Sequence, residues 1–198
     1  MRHEAAIART AILAMCLALV ACASSDEPLP SFGVVPELAL RDQQGRAITR
    51  ATFAGKIWIA DFIFTSCPDV CPLLTEQLAG LRKRLPADPR LVYVSFSVDP
   101  EHDTPEKLAA FATAHGARAE DWYFLTGGID DVKRVVTGGF KQAMDLQPTA
   151  PDKPRNVLHG THYVLVDGTG TIRGFHRSDK DGMAELEAAV KQLLKAKG

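Results

Sequence analysis

The stretch Ile57-Trp58-Ile59-Ala60-Asp61-Phe62-Ile63-Phe64-Thr65-Ser66-Cys67-Pro68-Asp69-Val70-Cys71-Pro72 decides the fold. Ile57 to Thr65 is a nearly continuous apolar run rich in β-branched and aromatic residues, which suits a central strand buried on both faces. Cys67 precedes a proline and so avoids helical geometry, whereas Pro72 is tolerated only in a first helical turn. A helix therefore starts near Cys71, and Leu73, Leu74, Leu78 and Leu81 carry it at helical spacing to Arg84. Leu91 to Val98 is a second buried strand, which completes a βαβ unit.

Upstream, Val34 to Leu40 and Ala47-Ile48 flank the turn signal Asp42-Gln43-Gln44-Gly45, so an N-terminal β-hairpin is expected. Downstream, Thr104 and Pro105 supply an N-cap and a first helical position for a helix that buries Leu108, Phe111 and Ala112. Trp122 to Leu125 reads as a short strand, and Val132, Val135 and Val136 mark a helix ending at Gly138-Gly139. Gln147 to Arg155 carries Pro148, Pro151 and Pro154 without periodicity and reads as a surface loop. His162 to Val166 and Thr171 to His176 form a hairpin around Gly168-Thr169-Gly170, and Ala184 to Lys195 closes the chain as an amphipathic helix. The order βαβ, then ββα, predicts an α/β, thioredoxin-like fold: a mixed central sheet flanked by helices, with the extra N-terminal β-hairpin.

With 198 residues and 46% hydrophobic composition, the chain can bury a core without metal or disulfide staples. Its formal net charge of −1 lacks the basic footprint that phosphate backbones require, which argues against a nucleic-acid partner. Arg2 and Arg9 precede an uncharged run, Ala11 to Ala21, with the length of a signal-peptide core and about half that of a spanning helix. Leu19-Val20-Ala21-Cys22 resembles a bacterial lipoprotein box, in which Cys22 receives the lipid. Residues 1–21 are thus expected to be a signal peptide, 22–30 a lipidated tether and 31–198 the folded domain, on the extracytoplasmic side of the membrane. Ala23 follows the box without an aspartate, a pattern similar to lipoproteins sent to the outer membrane, so inner and outer membrane both stay open.

Cys16 leaves with the signal and Cys22 is expected to be lipidated, so Cys67 and Cys71 remain for redox or metal chemistry. Their place between a buried strand and the next helix is where α/β folds put ligands. Helix amides there favour anions, so both cysteines are expected to have thiolate character. Four residues apart, the thiols can join as a disulfide or converge on one metal. As a mere staple, so short a loop stabilises by only about 2 kcal/mol. Two soft thiolates select Cu(I), and an added imidazole allows Cu(II) or Zn(II). The best candidate for the imidazole is His159, which follows the proline-rich loop and precedes the strand from Tyr163. His162 is three residues on, and on an extended segment the two side chains point to opposite faces, so at most one reaches the thiols. His102, His115 and His176 lie at predicted loops or element ends and read as ordinary packed or solvated residues.

Cys67-Pro68-Asp69-Val70-Cys71-Pro72, Ser97-Val98-Asp99-Pro100 with Asp103-Thr104-Pro105, and His159-Gly160-Thr161-His162-Tyr163-Val164-Leu165-Val166-Asp167 occur in this order. Together they resemble the Sco/SenC family of cytochrome c oxidase assembly proteins. The resemblance implies a thioredoxin-like fold and copper bound by Cys67, Cys71 and His159, with Asp69 and Asp99 as supporting or structural residues. It implies a copper metallochaperone, not an enzyme, that delivers Cu(I) or Cu(II) to the CuA site of cytochrome c oxidase or to another extracytoplasmic cuproenzyme. His162 has no fixed counterpart in the family pattern and reads as a solvent-facing group in preference to an auxiliary metal contact. A competing function is a thiol-disulfide oxidoreductase that reduces the partner's copper-ligand cysteines, which needs the dithiol but not His159. A peroxidase reading of Thr65-Ser66-Cys67 ranks last, because its spacing is one residue short.

Overall fold

A computed structural model describes residues 27–68, 70–117, 120–146 and 157–196, with 145–146 and 157–159 described by their backbone. The signal segment, Cys22, Asp69 and the proline-rich stretch 147–155 lie outside the described residues.

The apolar run forms β3 (Ile57–Ile63), and the second run forms β4 (Leu91–Ser97), every residue of both being buried. They pair in parallel, with Asp61 opposite Ser95, and are joined by α1 (Val70–Arg84). The Thr104 hydroxyl accepts from the Lys107 N–H at the start of α2 (Pro105–Ala114), which returns the chain to β5 (Trp122–Leu125), parallel to β4. On the other edge of β3, β8 (Tyr163–Val166) runs antiparallel, and β9 (Ile172–His176) pairs antiparallel with β8. The sheet order is β5-β4-β3-β8-β9, a mixed sheet with the longest strands at its centre. The closing helix, here α4 (Lys180–Lys195), begins at an Asp179 cap whose carboxylate accepts from the Gly182 N–H at 2.8 Å.

The expected N-terminal hairpin is present but short, pairing β1 (Leu40–Arg41) with β2 (Ala47–Ile48). Asp42 builds its turn: one carboxylate oxygen accepts from the Gln44 and Arg46 N–H groups and the other pairs with the Arg46 guanidinium at 2.6 Å. Gly45 supplies the positive φ of +76° that the turn needs. The preceding residues are diverted to β9, with the Phe32 N–H donating to Ile172 O and the Val35 N–H to Gly170 O, each at 2.9 Å. Pro36 has no N–H to continue a ladder, which is why the first strand is shorter than its apolar pattern suggested.

Two features lay outside the sequence reading. The helix after β5 starts as α3 (Ile129–Lys133) and finishes as a π-helical turn, Arg134–Gly139, with the Phe140 N–H donating five residues back to Val135 O at 2.9 Å. A separate ribbon then pairs β6 (Met144–Leu146) with β7 (Val157–His159), so His159 ends a strand of its own before β8. Among the described residues no helix is long and apolar enough to cross a membrane.

The π-helical turn delivers Phe140 into the aromatic core. Its ring lies 5.2 to 5.9 Å from those of Phe96, Phe62 and Trp58. Phe140 is fully buried, so Phe140→Ala leaves a cavity at the junction of sheet and π-helical turn. A loss of about 3–5 kcal/mol is expected in urea unfolding, with the m-value retained.

Candidate metal centre

The dithiol sits where β3 leaves the sheet. The Cys67 N–H donates to Phe64 O at 3.2 Å, which turns the chain, and α1 starts three residues later. The Cys71 N–H then donates to Cys67 Sγ at 3.3 Å, and the Phe64 N–H donates to Cys71 Sγ at 3.5 Å. Both thiols are thus held at the end of one strand, and neither is in a disulfide. Cys67 is half-buried, whereas Cys71 is fully buried. Val70 and Leu73, beside them on the helix start, are exposed.

The expectation of two thiolates fails at Cys71. Burial raises its thiol far above the ordinary range, the Phe64 N–H pulls the other way, and Cys67 and Asp61 push it further up. The helix-start amide is aimed at the Cys67 sulfur, while Cys71 is carried beneath the helix into the core. The sequence spacing placed both cysteines at the helix start but did not separate the thiol that faces out from the one that faces in.

His159 ends β7 with its Cα paired to that of Met144. Gly160 follows against Gln142, whose carboxamide occupies the space a Cβ would need, and Gln142 is tied by its own amides to Val136 O and Phe140 O. The backbone after His159 is therefore seated on the end of the π-helical turn. His162 is exposed, as expected. His102 Nδ1 lies 3.1 Å from Asp99 Oδ1, and the His115 ring packs on Phe111 with centroids 4.4 Å apart. Among the described residues no group of three or more His, Cys, Asp or Glu side chains is gathered to hold a metal.

Three buried carboxyl groups lie near the dithiol, Asp103, Asp99 and Asp61, and of these the sequence reading gave a supporting role only to Asp99. Asp103 accepts from Thr65, two residues before Cys67, through its N–H at 3.1 Å and its hydroxyl at 2.6 Å, and from the Ser97 hydroxyl at 2.7 Å. Asp99 closes the same turn, its carbonyl accepting from the His102 and Asp103 N–H groups. Asp61 lies on β3 itself: its Oδ1 accepts from the Ser95 hydroxyl at 2.5 Å, and Ser95 Oγ accepts from the Trp122 indole N–H at 2.9 Å. Asp61 Oδ2 is buried without a hydrogen-bond partner. Continuing the β3–β8 register places Tyr163 opposite it, and the Tyr163 hydroxyl donates to Leu74 O in α1 at 2.7 Å. The signal for Asp61 was a single carboxyl group inside an otherwise apolar run.

Residues 28–195 match the family model of SCO1/SenC proteins. The chain belongs to the SCO1/SenC family. A solved SCO1/SenC family lipoprotein from Bacillus anthracis is 29% identical, with a TM-score of 0.72 over 85% of this chain and 98% of that one. A solved BsSco, described as a member of the Sco family of cytochrome c oxidase assembly proteins with a disulfide switch, is 27% identical, with a TM-score of 0.70 over 86% of this chain and 99% of that one. Yeast Sco1 with copper bound shares the fold at 24% identity and a TM-score of 0.70, over 85% of this chain and 96% of that one. The thioredoxin-like fold expected from the order of elements is thus the fold of this SCO1/SenC chain.

Asp61 makes the domain's stability depend on pH. Burial raises its carboxyl from 3.8 to about 7, against the Ser95 hydrogen bond, which lowers it. The folded state therefore keeps a proton that the unfolded chain has lost above about pH 4, and stability falls with rising pH until the folded carboxyl ionises near 7. A shift of that size corresponds to about 4 kcal/mol. Urea unfolding at pH 4, 6 and 8 checks this: Asp61→Asn should gain stability relative to the wild type by up to that amount between pH 4 and 8, with no further gain above.

Proposed function

We propose that this SCO1/SenC protein is a copper metallochaperone that binds copper through Cys67, Cys71 and His159 and delivers it to the CuA site of cytochrome c oxidase or to another extracytoplasmic cuproenzyme. The observation that carries the reading is the dithiol, two sulfurs held together at the end of β3 outside any disulfide, one of them half-exposed. Such a pair suits Cu(I), which accepts low coordination by soft ligands, and an imidazole would extend it to Cu(II). The copper in yeast Sco1 and the oxidase-assembly description of BsSco support the same reading. Binding requires the Cys71 proton to leave a buried thiol, so loading releases protons and strengthens as pH rises.

His159→Ala tests the ligand set. The variant should keep Cu(I) on Cys67 and Cys71 but lose Cu(II) affinity by at least about 10–100-fold, read by competition with a chromophoric chelator. Cys67→Ala should lose both. The thiol-disulfide oxidoreductase reading is favoured by one observation, the accessible Cys67 with Cys71 directly behind it, and by the disulfide switch of BsSco. Oxidase assembly under limiting copper separates the two: a His159→Ala strain that assembles active oxidase at the normal rate, while Cys67→Ala fails, would make reduction the essential task.

The same proposal covers location. Residues 1–21 act as a signal peptide, 22–30 as a tether lipidated at Cys22 and 31–198 as the copper-binding domain, on the extracytoplasmic side. The apolar run ending at Cys22 supports this, as does the lipoprotein nature of the Bacillus anthracis family member. Cys22→Ser should move the protein out of the membrane fraction or block its processing. Normal maturation with unchanged membrane association would remove the lipid anchor from the reading.

A further inference from the structure

Asp103 is fully buried next to Asp99, itself fully buried. Burial raises the Asp103 carboxyl, the Thr65 and Ser97 hydrogen bonds lower it, and Asp99 raises it further. Tying a loop to a turn with a desolvated carboxylate beside a second one is a costly way to gain stability, since neutral partners would do the same. What this side chain does is hold three donors from two segments at once. One segment is Thr65, two residues before Cys67, and the other is Ser97, the end of β4. The Ser97 hydroxyl in turn accepts from the Asp99 N–H at 3.1 Å, so the β3–α1 loop is fixed to the β4–α2 turn.

We propose that Asp103 is a positioning residue for the dithiol: its hydrogen bonds to Thr65 and Ser97 fix the Cys67 loop so that the Cys67 sulfur stays within bonding reach of Cys71. This rests on the reading of Cys67 and Cys71 as the reactive pair, but not on copper or on His159. The consequence is a high effective concentration of one thiol at the other. It is set by the loop geometry and not by the stability of the domain as a whole.

The test is the equilibrium of the metal-free full chain with glutathione at pH 7, read by alkylation and mass spectrometry. In this exchange the S–S bond of oxidised glutathione breaks, the Cys67–Cys71 bond forms, and the two protein thiol protons end on two molecules of reduced glutathione. Asp103→Ala should lower the effective concentration of the pair at least about tenfold. Thr65→Val, which keeps the backbone N–H and loses the hydroxyl, should lower it less. Asp103→Asn should restore most of it, because its amide oxygen accepts from Thr65 while its NH2 donates to the Ser97 oxygen. Thermal unfolding is recorded alongside: a variant that loses stability while its dithiol equilibrium stays at the wild-type value overturns the positioning role. If Asp103→Ala does not fold, Thr65→Val decides, and an unchanged equilibrium there overturns it. A wild-type chain that forms no Cys67–Cys71 disulfide overturns both the dithiol reading and this proposal, whereas failure of the His159 copper test leaves it standing.

Discussion

Strand β3 is paired along both edges and buried on both faces, and the rest of the molecule is arranged around that constraint. Its backbone groups are committed to β8 from Trp58 to Ala60 on one side and to β4 through Ile63 on the other, so the chain turns after Ile63, where the longer ladder ends. The eight residues that follow bring the chain from the sheet into α1, and both cysteines lie within them. Because strand and helix are both anchored in the core, the loop between them spans a fixed gap, and the two sulfurs are brought to the end of one strand without a bond between them.

Close to that exit the protein keeps polar groups that a structure selected for stability alone would avoid. Asp61 leaves one oxygen unpartnered beneath α1, and Asp103 and Asp99 are buried together at the neighbouring turn. Each carries a desolvation cost that the surrounding apolar strands must offset. The compensation is visible in the aromatic cluster of Trp58, Phe62, Phe96 and Phe140. Phe62 and Phe96 lie in register on the two central strands, next to the Asp61–Ser95 pair. Stability and chemistry thus share the same strand pair, with successive residues turned to opposite faces.

The two thiols differ because the helix start treats them differently. An amide of the first turn points at the Cys67 sulfur, while Cys71 lies on the inward face with Leu74 and Leu78. Burial accordingly raises the Cys71 thiol above its ordinary range, and Cys67 is the more accessible sulfur of the pair. Val70 and Leu73, on the same first turn, are exposed apolar residues.

The sequence by itself determined the order of elements, since strand and helix periods differ and the prolines at 68, 72 and 105 mark boundaries. It placed Cys67 and Cys71 at a strand-to-helix junction, and its three motifs identified the family and with it the fold. Only the tertiary structure decided what the carboxyl groups do, because Thr65 and Ser97 meet Asp103 across segments far apart in the chain. The same holds for the β6–β7 ribbon: its pairing joins Met144 to His159 across a stretch with no periodic signal. It holds too for the burial of Cys71, which the local pattern left open because a helix start offers both an inward and an outward face. Local propensity reads the chain a few residues at a time, whereas burial and hydrogen-bond partners are settled by residues that only the packed sheet brings together.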